Sequence, residues 1–210
     1  MRYLINIWLF LFVFVSLNHS YAQNMDTNKG IEKSFEMVTF CSGCFWCTEA
    51  IFNLVNGVEK AIPGYSGGIE LNPTYELVCS GTTKYAEVIQ VTFDPEIITF
   101  KELLEIFWQT HDPTTLNRQG ADVGPQYRSV IFYHTQKQKE EAKYYKDILN
   151  KEGIWKKPIV TEISPFVKFY QAEDYHINYY ENNQANGYCN YVITPKIEKF
   201  KKVFSDKISE

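Results

Sequence analysis

The stretch Phe40-Cys41-Ser42-Gly43-Cys44-Phe45-Trp46-Cys47-Thr48-Glu49 carries three cysteines at intervals of three, with a glycine and two large aromatics among them. Three kinds of chemistry use such a spacing: a metal clamp, a structural disulfide, or a thiol that reacts. A strand ending near Cys41 and a turn at Gly43 would put Cys44 at a helix N-terminus. The unpaired amides and the dipole there favour negative charge and lower a thiol pKa. Cys44 is therefore the candidate nucleophile. Cys47 lies one helical turn on, within disulfide reach, and a second thiol in reach is what a redox cycle needs. Zinc would need four ligands, and the usual two separated CxxC pairs are absent. A thiol–disulfide exchanger also uses CxxC at a helix start, so these residues alone leave that alternative open.

A carboxylate is the next candidate. In Ala86-Glu87-Val88-Ile89-Gln90-Val91-Thr92-Phe93, strand alternation puts Glu87 on the face of Ile89, Val91 and Phe93. A glutamate on an apolar face is costly unless it is paired or protonated, and burial raises its pKa into the range of a useful acid. The other reading is that Glu87 sits at the strand end and reaches solvent.

The elements that must hold these groups alternate along the chain. Strands are expected at Phe35–Phe40, Ala86–Phe93, Ser129–His134 and Ile159–Ile163. Helices are expected at Cys44–Asn56, from Thr99 to Thr110 behind the capping box Thr99-x-x-Glu102, and from Thr135 to Asn150. Residues 172–182 read as helical, and Thr194-Pro195 opens a last helix. Residues 183–190 are rich in Asn and Gly and read as mobile. Residues 63–84 and 111–128 read as two long loops, a length that usually marks function. Both are expected to meet over the start of the first helix.

The chain has 210 residues and a formal net charge of −4, an acidity that argues against nucleic acid or an anionic membrane as partner. Aromatic residues make up 16%, enough for a core and an aromatic-lined site. Arg2 is followed by an apolar run from Leu4 to Leu17, too short for a comfortable membrane span, and then by Ser20-Tyr21-Ala22. Residues 1–22 thus read as an export signal cut before Gln23, with an uncleaved N-terminal anchor as the alternative. Residues 23–34 read as a flexible lead into a single domain over 35–210. Five cysteines is an odd count, which in an exported protein points to a free thiol that needs its own electron supply. His111, His134 and His176 have no metal-like spacing and read as structural. Cys79 reads as a small packing residue.

Motifs in one consistent order extend this reading: Gly43-Cys44-Phe45-Trp46, Gly64-Tyr65-Ser66-Gly67-Gly68, Asn72-Pro73-Thr74-Tyr75, Val78-Cys79-Ser80-Gly81, Ala86-Glu87-Val88, His111-Asp112-Pro113-Thr114-Thr115, Asn117-Arg118-Gln119-Gly120 and Gly124-Pro125-Gln126-Tyr127-Arg128-Ser129. From about Val38 to the C-terminal helix the chain closely resembles the peptide-methionine (S)-S-oxide reductases, the A-type methionine sulfoxide reductases. The resemblance implies an α+β fold, a two-layer α/β sandwich on a ferredoxin-like core. It implies Cys44 as nucleophile, Glu87 as acid, and Tyr75 and Tyr127 around the sulfoxide oxygen. Asp122 would help order the site, and Phe45 and Trp46 would receive the substrate methyl group. Cys47 and Cys189, in Asn186-Gly187-Tyr188-Cys189, are both candidates for the resolving thiol, and a relay using both is a third arrangement. No cofactor is implied. The partners implied are methionine sulfoxide, free or in proteins, and a thioredoxin-like electron donor, with the chain acting as a monomer. The R epimer should go unrepaired, since no B-type domain is recognised. Two positions depart from the family pattern: Lys84-Tyr85 stands where Gly-His is common before Ala-Glu, and Cys41 stands where a small residue is usual.

Overall fold

The computed structural model describes residues 34–209; the expected export signal and residues 23–33 lie outside them. Strand β1 (Glu36–Ser42) leads through Gly43 into helix α1 (Phe45–Phe52), followed by β2 (Val58–Ser66), a short α2 (Tyr75–Cys79), β3 (Ala86–Phe93) and α3 (Phe100–Thr110). Two dipeptide strands, β4 (Arg118–Gln119) and β5 (Asp122–Val123), pair with each other. Then come β6 (Ser129–Tyr133), α4 (Gln136–Lys151), β7 (Glu162–Pro165), β8 (Phe169–Gln171), α5 (Tyr179–Asn182) and α6 (Thr194–Val203).

The main sheet runs β7-β6-β1-β3-β2-β8. Its four central strands are mutually antiparallel in the order β6-β1-β3-β2, with α1 between β1 and β2 and α3 between β3 and β6. That is the split β-α-β of a ferredoxin-like core. β7 extends it in parallel beyond β6, and β8 closes the other edge. Helices α1, α3, α4 and α6 lie on one face. They cover a core that includes Phe40, Phe52, Ile89, Val91, Phe107 and Phe200. The opposite face carries a smaller cluster of Cys41, Ala86, Val88, Val130 and Phe132, shielded by Phe166 and Phe169. Two layers result, as expected.

Local chemistry explains most boundaries. The Thr99 side chain accepts from the Glu102 N–H while Glu102 reaches back to the Thr99 N–H, so the capping box forms as read. Thr135 caps α4 in the same way through the Gln138 N–H. Helix α1 is shorter than the expected Cys44–Asn56. Asn53 turns its side-chain oxygen to the Ala61 N–H, and Val55 is drawn into a bridge with Ile208.

Three regions depart from the sequence reading. The segment read as a loop from residue 63 begins inside β2. Pro63 sits where the β8 partners end, and Gly64 is demanded by close approach rather than by a turn: a Cβ there would lie 2.3 Å from the Tyr170 carbonyl oxygen. Residues 172–182 are not one helix but a connection out of β8, a 3₁₀ turn at Asp174–His176 and the single turn α5, with the Asn178 and Tyr179 N–H groups taken by the Glu49 carboxylate. The strand expected at Ile159–Ile163 runs instead from Glu162 to Pro165, since its register is set by parallel pairing with β6. Among the described residues no helix is long and apolar enough to cross a membrane.

Candidate active site

The site is built around the β1–α1 junction. Gly43 has φ +99°, and a Cβ on it would fall 2.6 Å from the Gln119 side chain, so glycine is required both for the turn and for the approach of the second long loop. The turn is tied by the Ser42 and Thr48 hydroxyls at 2.8 Å, with Thr48 also bonding the Cys44 carbonyl. Cys44 is thereby fixed as the residue that caps α1, and it is buried. Both long loops reach this point. The first brings the Tyr75 ring over Phe45, with centroids 6.3 Å apart, and the second brings Gln119, Asp122 and Tyr127.

Glu87 is 1% exposed, so the reading in which it reaches solvent fails. Its Oε2 accepts the Phe45 N–H at 3.2 Å, one of the free donors of the first turn of α1. Its Oε1 lies 4.0 Å from the Cys79 thiol. Burial pushes the carboxyl up to about 8, with the Asp122 and Cys47 charges adding to the Phe45-opposed shift, so Glu87 carries its proton at neutral pH. Burial likewise raises the Tyr75 and Tyr127 phenols, helped by the bond to Cys79 for Tyr75 and by the Glu87 charge for both. Glu87, Tyr75 and Tyr127 therefore present a set of neutral hydrogen-bond donors close to one another.

The thiols behave differently from the helix-terminus expectation. Burial raises Cys44 well above the ordinary thiol value, and its hydrogen bond to Cys47 adds to that. Cys47, receiving that bond, is pulled down to about 7. Desolvation at the closed β1–α1 junction outweighs the dipole for Cys44, and the two sulfurs titrate as one hydrogen-bonded pair that loses its first proton near neutrality. The Tyr188 hydroxyl lies 3.9 Å from the Cys47 sulfur and donates at 2.8 Å to Asp122 Oδ2. Asp122 thus reaches the thiols through Tyr188. Cys189, next in the chain, is buried at the start of a π-helical turn, Cys189–Ile193, which leads into α6. All five cysteines are free thiols.

Phe45 and Trp46 form two walls of an aromatic box. Trp46 stacks on Tyr179 at 3.7 Å and meets Tyr188 edge-on at 5.9 Å. Phe45 faces His176 at 4.9 Å. The Trp46 indole N–H donates to His176 Nδ1 at 2.9 Å. Glu173 lies behind, accepting the Tyr75 N–H on Oε1 at 2.9 Å and the Tyr65 hydroxyl on Oε2 at 2.8 Å. Glu49, 1% exposed on α1, accepts the Asn178 and Tyr179 N–H groups and anchors the start of α5, which carries Tyr179 against Trp46.

Spacing and strand alternation pointed to Cys44, Cys47 and Glu87, and the family resemblance added Tyr75, Tyr127, Asp122, Phe45 and Trp46; all eight lie at or near this junction. Sequence reasoning missed Glu49, Glu173, Tyr179 and Tyr188, which reach the site only through tertiary contact. Cys79 is not the buried packing residue expected: it is only partly buried, and its thiol stands beside Glu87 and near the Tyr75 and Tyr127 hydroxyls. His176, read as structural, bonds Trp46 and packs into the box. His111 and His134 do bond within the scaffold, to the Phe107 carbonyl and Ser129 hydroxyl and to the Thr39 hydroxyl respectively. Tyr85, at the position that departs from the family pattern, is buried, packs under Gly68 and donates its hydroxyl to the Glu70 carbonyl.

Comparison with known proteins gives a consistent answer. The family described as peptide methionine sulfoxide reductase matches residues 36–208. The peptide methionine sulfoxide reductase MsrA of Saccharolobus solfataricus is 53% identical over 174 residues, covering 82% of this chain and 97% of that protein. The crystal structure of Mxr1 from Saccharomyces cerevisiae in reduced form matches with a TM-score of 0.68 and 37% identity, over 74% of this chain and 89% of that one. Mxr1 in complex with Trx2 matches with a TM-score of 0.50 and 28% identity, over 72% of this chain and 91% of that one. This chain belongs to the peptide methionine sulfoxide reductase family and is an oxidoreductase of the MsrA type.

Proposed function

We propose that the protein reduces methionine-S-sulfoxide, free or within proteins, to methionine through a sulfenic acid on Cys44. The observation that carries this reading is the neutral, fully buried Glu87 bonded to the first amide of the helix that Cys44 caps. A sulfoxide sulfur is electrophilic only when its oxygen is protonated or strongly hydrogen-bonded. Glu87, Tyr75 and Tyr127 supply those donors, and the Phe45–Trp46 walls give the S-methyl group an apolar, polarizable surface.

The Cys44 sulfur attacks the substrate sulfur as Glu87 protonates the sulfoxide oxygen. The S–S bond so formed and the substrate S–O bond then break as the hydroxyl passes to the Cys44 sulfur, so that methionine leaves reduced by two electrons and Cys44 is oxidised to a sulfenic acid. The proton given up by the Cys44–Cys47 pair restores Glu87. Cys47, which titrates together with Cys44, then condenses with the sulfenic acid to a disulfide and releases water. Cys189, whose thiol feels the Cys47 charge, takes over that disulfide by exchange, freeing Cys44. A thioredoxin-like dithiol reduces the result, a role supported by the Trx2 complex of the yeast relative. The Leu4–Leu17 run and Ser20-Tyr21-Ala22 support export of the chain, acting as a monomer outside the cytoplasm.

The test is mass spectrometry of the reduced protein after one equivalent of methionine-S-sulfoxide without reductant, on the wild type, Cys47→Ser and Cys189→Ser. The reading expects one methionine per chain, a Cys44–Cys47 disulfide in Cys189→Ser, and a trapped Cys44 sulfenic acid in Cys47→Ser. Five unchanged thiols and no methionine would sink it.

A further inference from the structure

We infer that Glu173 is a positioning residue for the methyl-binding box, acting on Trp46 through the tautomer of His176; this rests on the substrate reading of Phe45 and Trp46 above. An indole nitrogen can only donate, so the 2.9 Å bond from Trp46 Nε1 requires an unprotonated His176 Nδ1. In a neutral imidazole the proton then sits on Nε2. That atom is fully buried and has no hydrogen-bond partner; the Glu173 Oε2 carboxylate oxygen stands 3.7 Å away. Burial holds His176 below the ordinary histidine value, against the opposing Glu173 and Glu76 charges, so the ring is neutral and its tautomer is a real choice. A carboxylate near Nε2 favours the tautomer with its proton there.

Glu173 does this while bound to two further walls. Its Oε1 takes the Tyr75 N–H at the start of α2, and its Oε2 takes the Tyr65 hydroxyl from β2, the residue paired with Glu87. His176 itself contacts Phe45, Trp46 and Tyr75, with ring centroids 4.9, 5.6 and 4.5 Å away. One carboxylate from the β8–α5 connection therefore fixes a main-chain donor, a phenol and, through His176, an indole. None of its bonds is to Cys44, Cys47 or Glu87, so its effect should fall on how substrate is held rather than on the thiol chemistry.

Two measurements test this. In the wild type, the ring ¹⁵N resonances of His176 should report the Nε2–H tautomer across neutral pH; an Nδ1–H ring overturns the proposal, whether or not any variant folds. Glu173→Gln keeps its one oxygen for the Tyr75 N–H but then turns an NH2 group, which cannot accept and carries no charge, to the Tyr65 hydroxyl and to His176 Nε2. It should raise KM for N-acetyl-methionine-S-sulfoxide about tenfold, with the single-turnover rate at saturating substrate within about threefold of wild type. The Trp46 indole N–H resonance should move with it, and Glu173→Asp should restore part of the lost affinity. An unchanged KM, or a fall in turnover with the Trp46 resonance unmoved, overturns the proposal. A wild type that forms no methionine at all would instead remove the substrate reading on which it rests.

Discussion

Cys41 and Cys44 are separated by two residues and lie on opposite faces of the sheet. Cys41 points from β1 into the small cluster with Ala86, Val88, Val130 and Phe132, its thiol donating to the Gln126 carbonyl at 3.5 Å. Burial pushes it up to about 12, with the Glu87 and Glu162 charges adding to the rise and Arg128 opposing it. Cys44 is as buried, and burial raises it too, yet it stands against Cys47 and near Glu87 and Tyr188. Desolvation is common to both sites and so does not distinguish them. Glu87 also bears on both; what differs is the company of Cys47, a neighbouring sulfur with which the Cys44 thiol titrates. The CxxCxxC spacing is blind to this, because Gly43 turns the chain between the two faces.

The contrast can be broken from its reactive side first. Cys44→Ser should lower turnover of methionine-S-sulfoxide by on the order of 10⁴-fold or more, measured as methionine formed with dithiothreitol as reductant. Glu87→Gln removes the proton but keeps the shape, and should cost about 10²–10⁴-fold in kcat. The same carboxyl predicts two pH effects. Turnover should fall as pH rises through about 8, where Glu87 ionises. Stability should follow the same direction. The folded carboxyl holds its proton to about 8, whereas the unfolded one releases it near 4.5, so its contribution is complete below the lower value and lost as pH rises through the higher. Glu49, raised to about 7 by burial against its two backbone bonds, adds a loss of the same sign. Thermal melts from pH 5 to 9 should show this decline, and Glu87→Gln should flatten it.

Smaller effects sharpen the comparison. If the proposed sulfenic acid is resolved by Cys47, Cys47→Ser should leave the first turnover close to wild type and slow steady-state turnover with thioredoxin by roughly tenfold. Cys41→Ser should leave kcat within about twofold and cost about 1 kcal/mol in urea unfolding, a hydroxyl being less at ease than a thiol among apolar neighbours. A Cys41→Ser protein with turnover reduced as far as in Cys47→Ser would erase the distinction between the two faces.

These particulars show what a sequence carries. Alternation in β3 put Glu87 on the helix-covered face, and the pattern Thr99-x-x-Glu102 marked the start of α3, because both are local properties of the chain. The motif resemblance placed Tyr75, Tyr127 and Asp122. Local rules failed where a distant segment supplies the reason. Gly64 reads as a turn residue until β8 is laid against it. Glu49 reads as an ordinary helix residue until Asn178 and Tyr179 bring their amides to it. Cys79 reads as packing until Tyr75, Tyr127 and Glu87 surround its sulfur. Even the helix-terminus argument for an acidic Cys44 was sound locally and lost to burial by loops that the sequence does not position.

Gly64 also sets a dimension. With no side chain there, β8 closes on β2 until the Tyr170 carbonyl would touch a methyl group, and the Ala172 N–H bonds the Pro63 carbonyl at 3.0 Å. Glu173 is the next residue, so its reach to Tyr65 and Tyr75 is measured from that contact. The proposed methyl-binding box thus takes its calibre from a place where a methyl group is missing, on the strand that also carries Tyr65 to Glu173. A gauge of this kind has no tolerance for drift. Widening the gap by one carbon would shift every wall hung from Glu173 at once, and the selectivity of the pocket would change without any residue in it being altered.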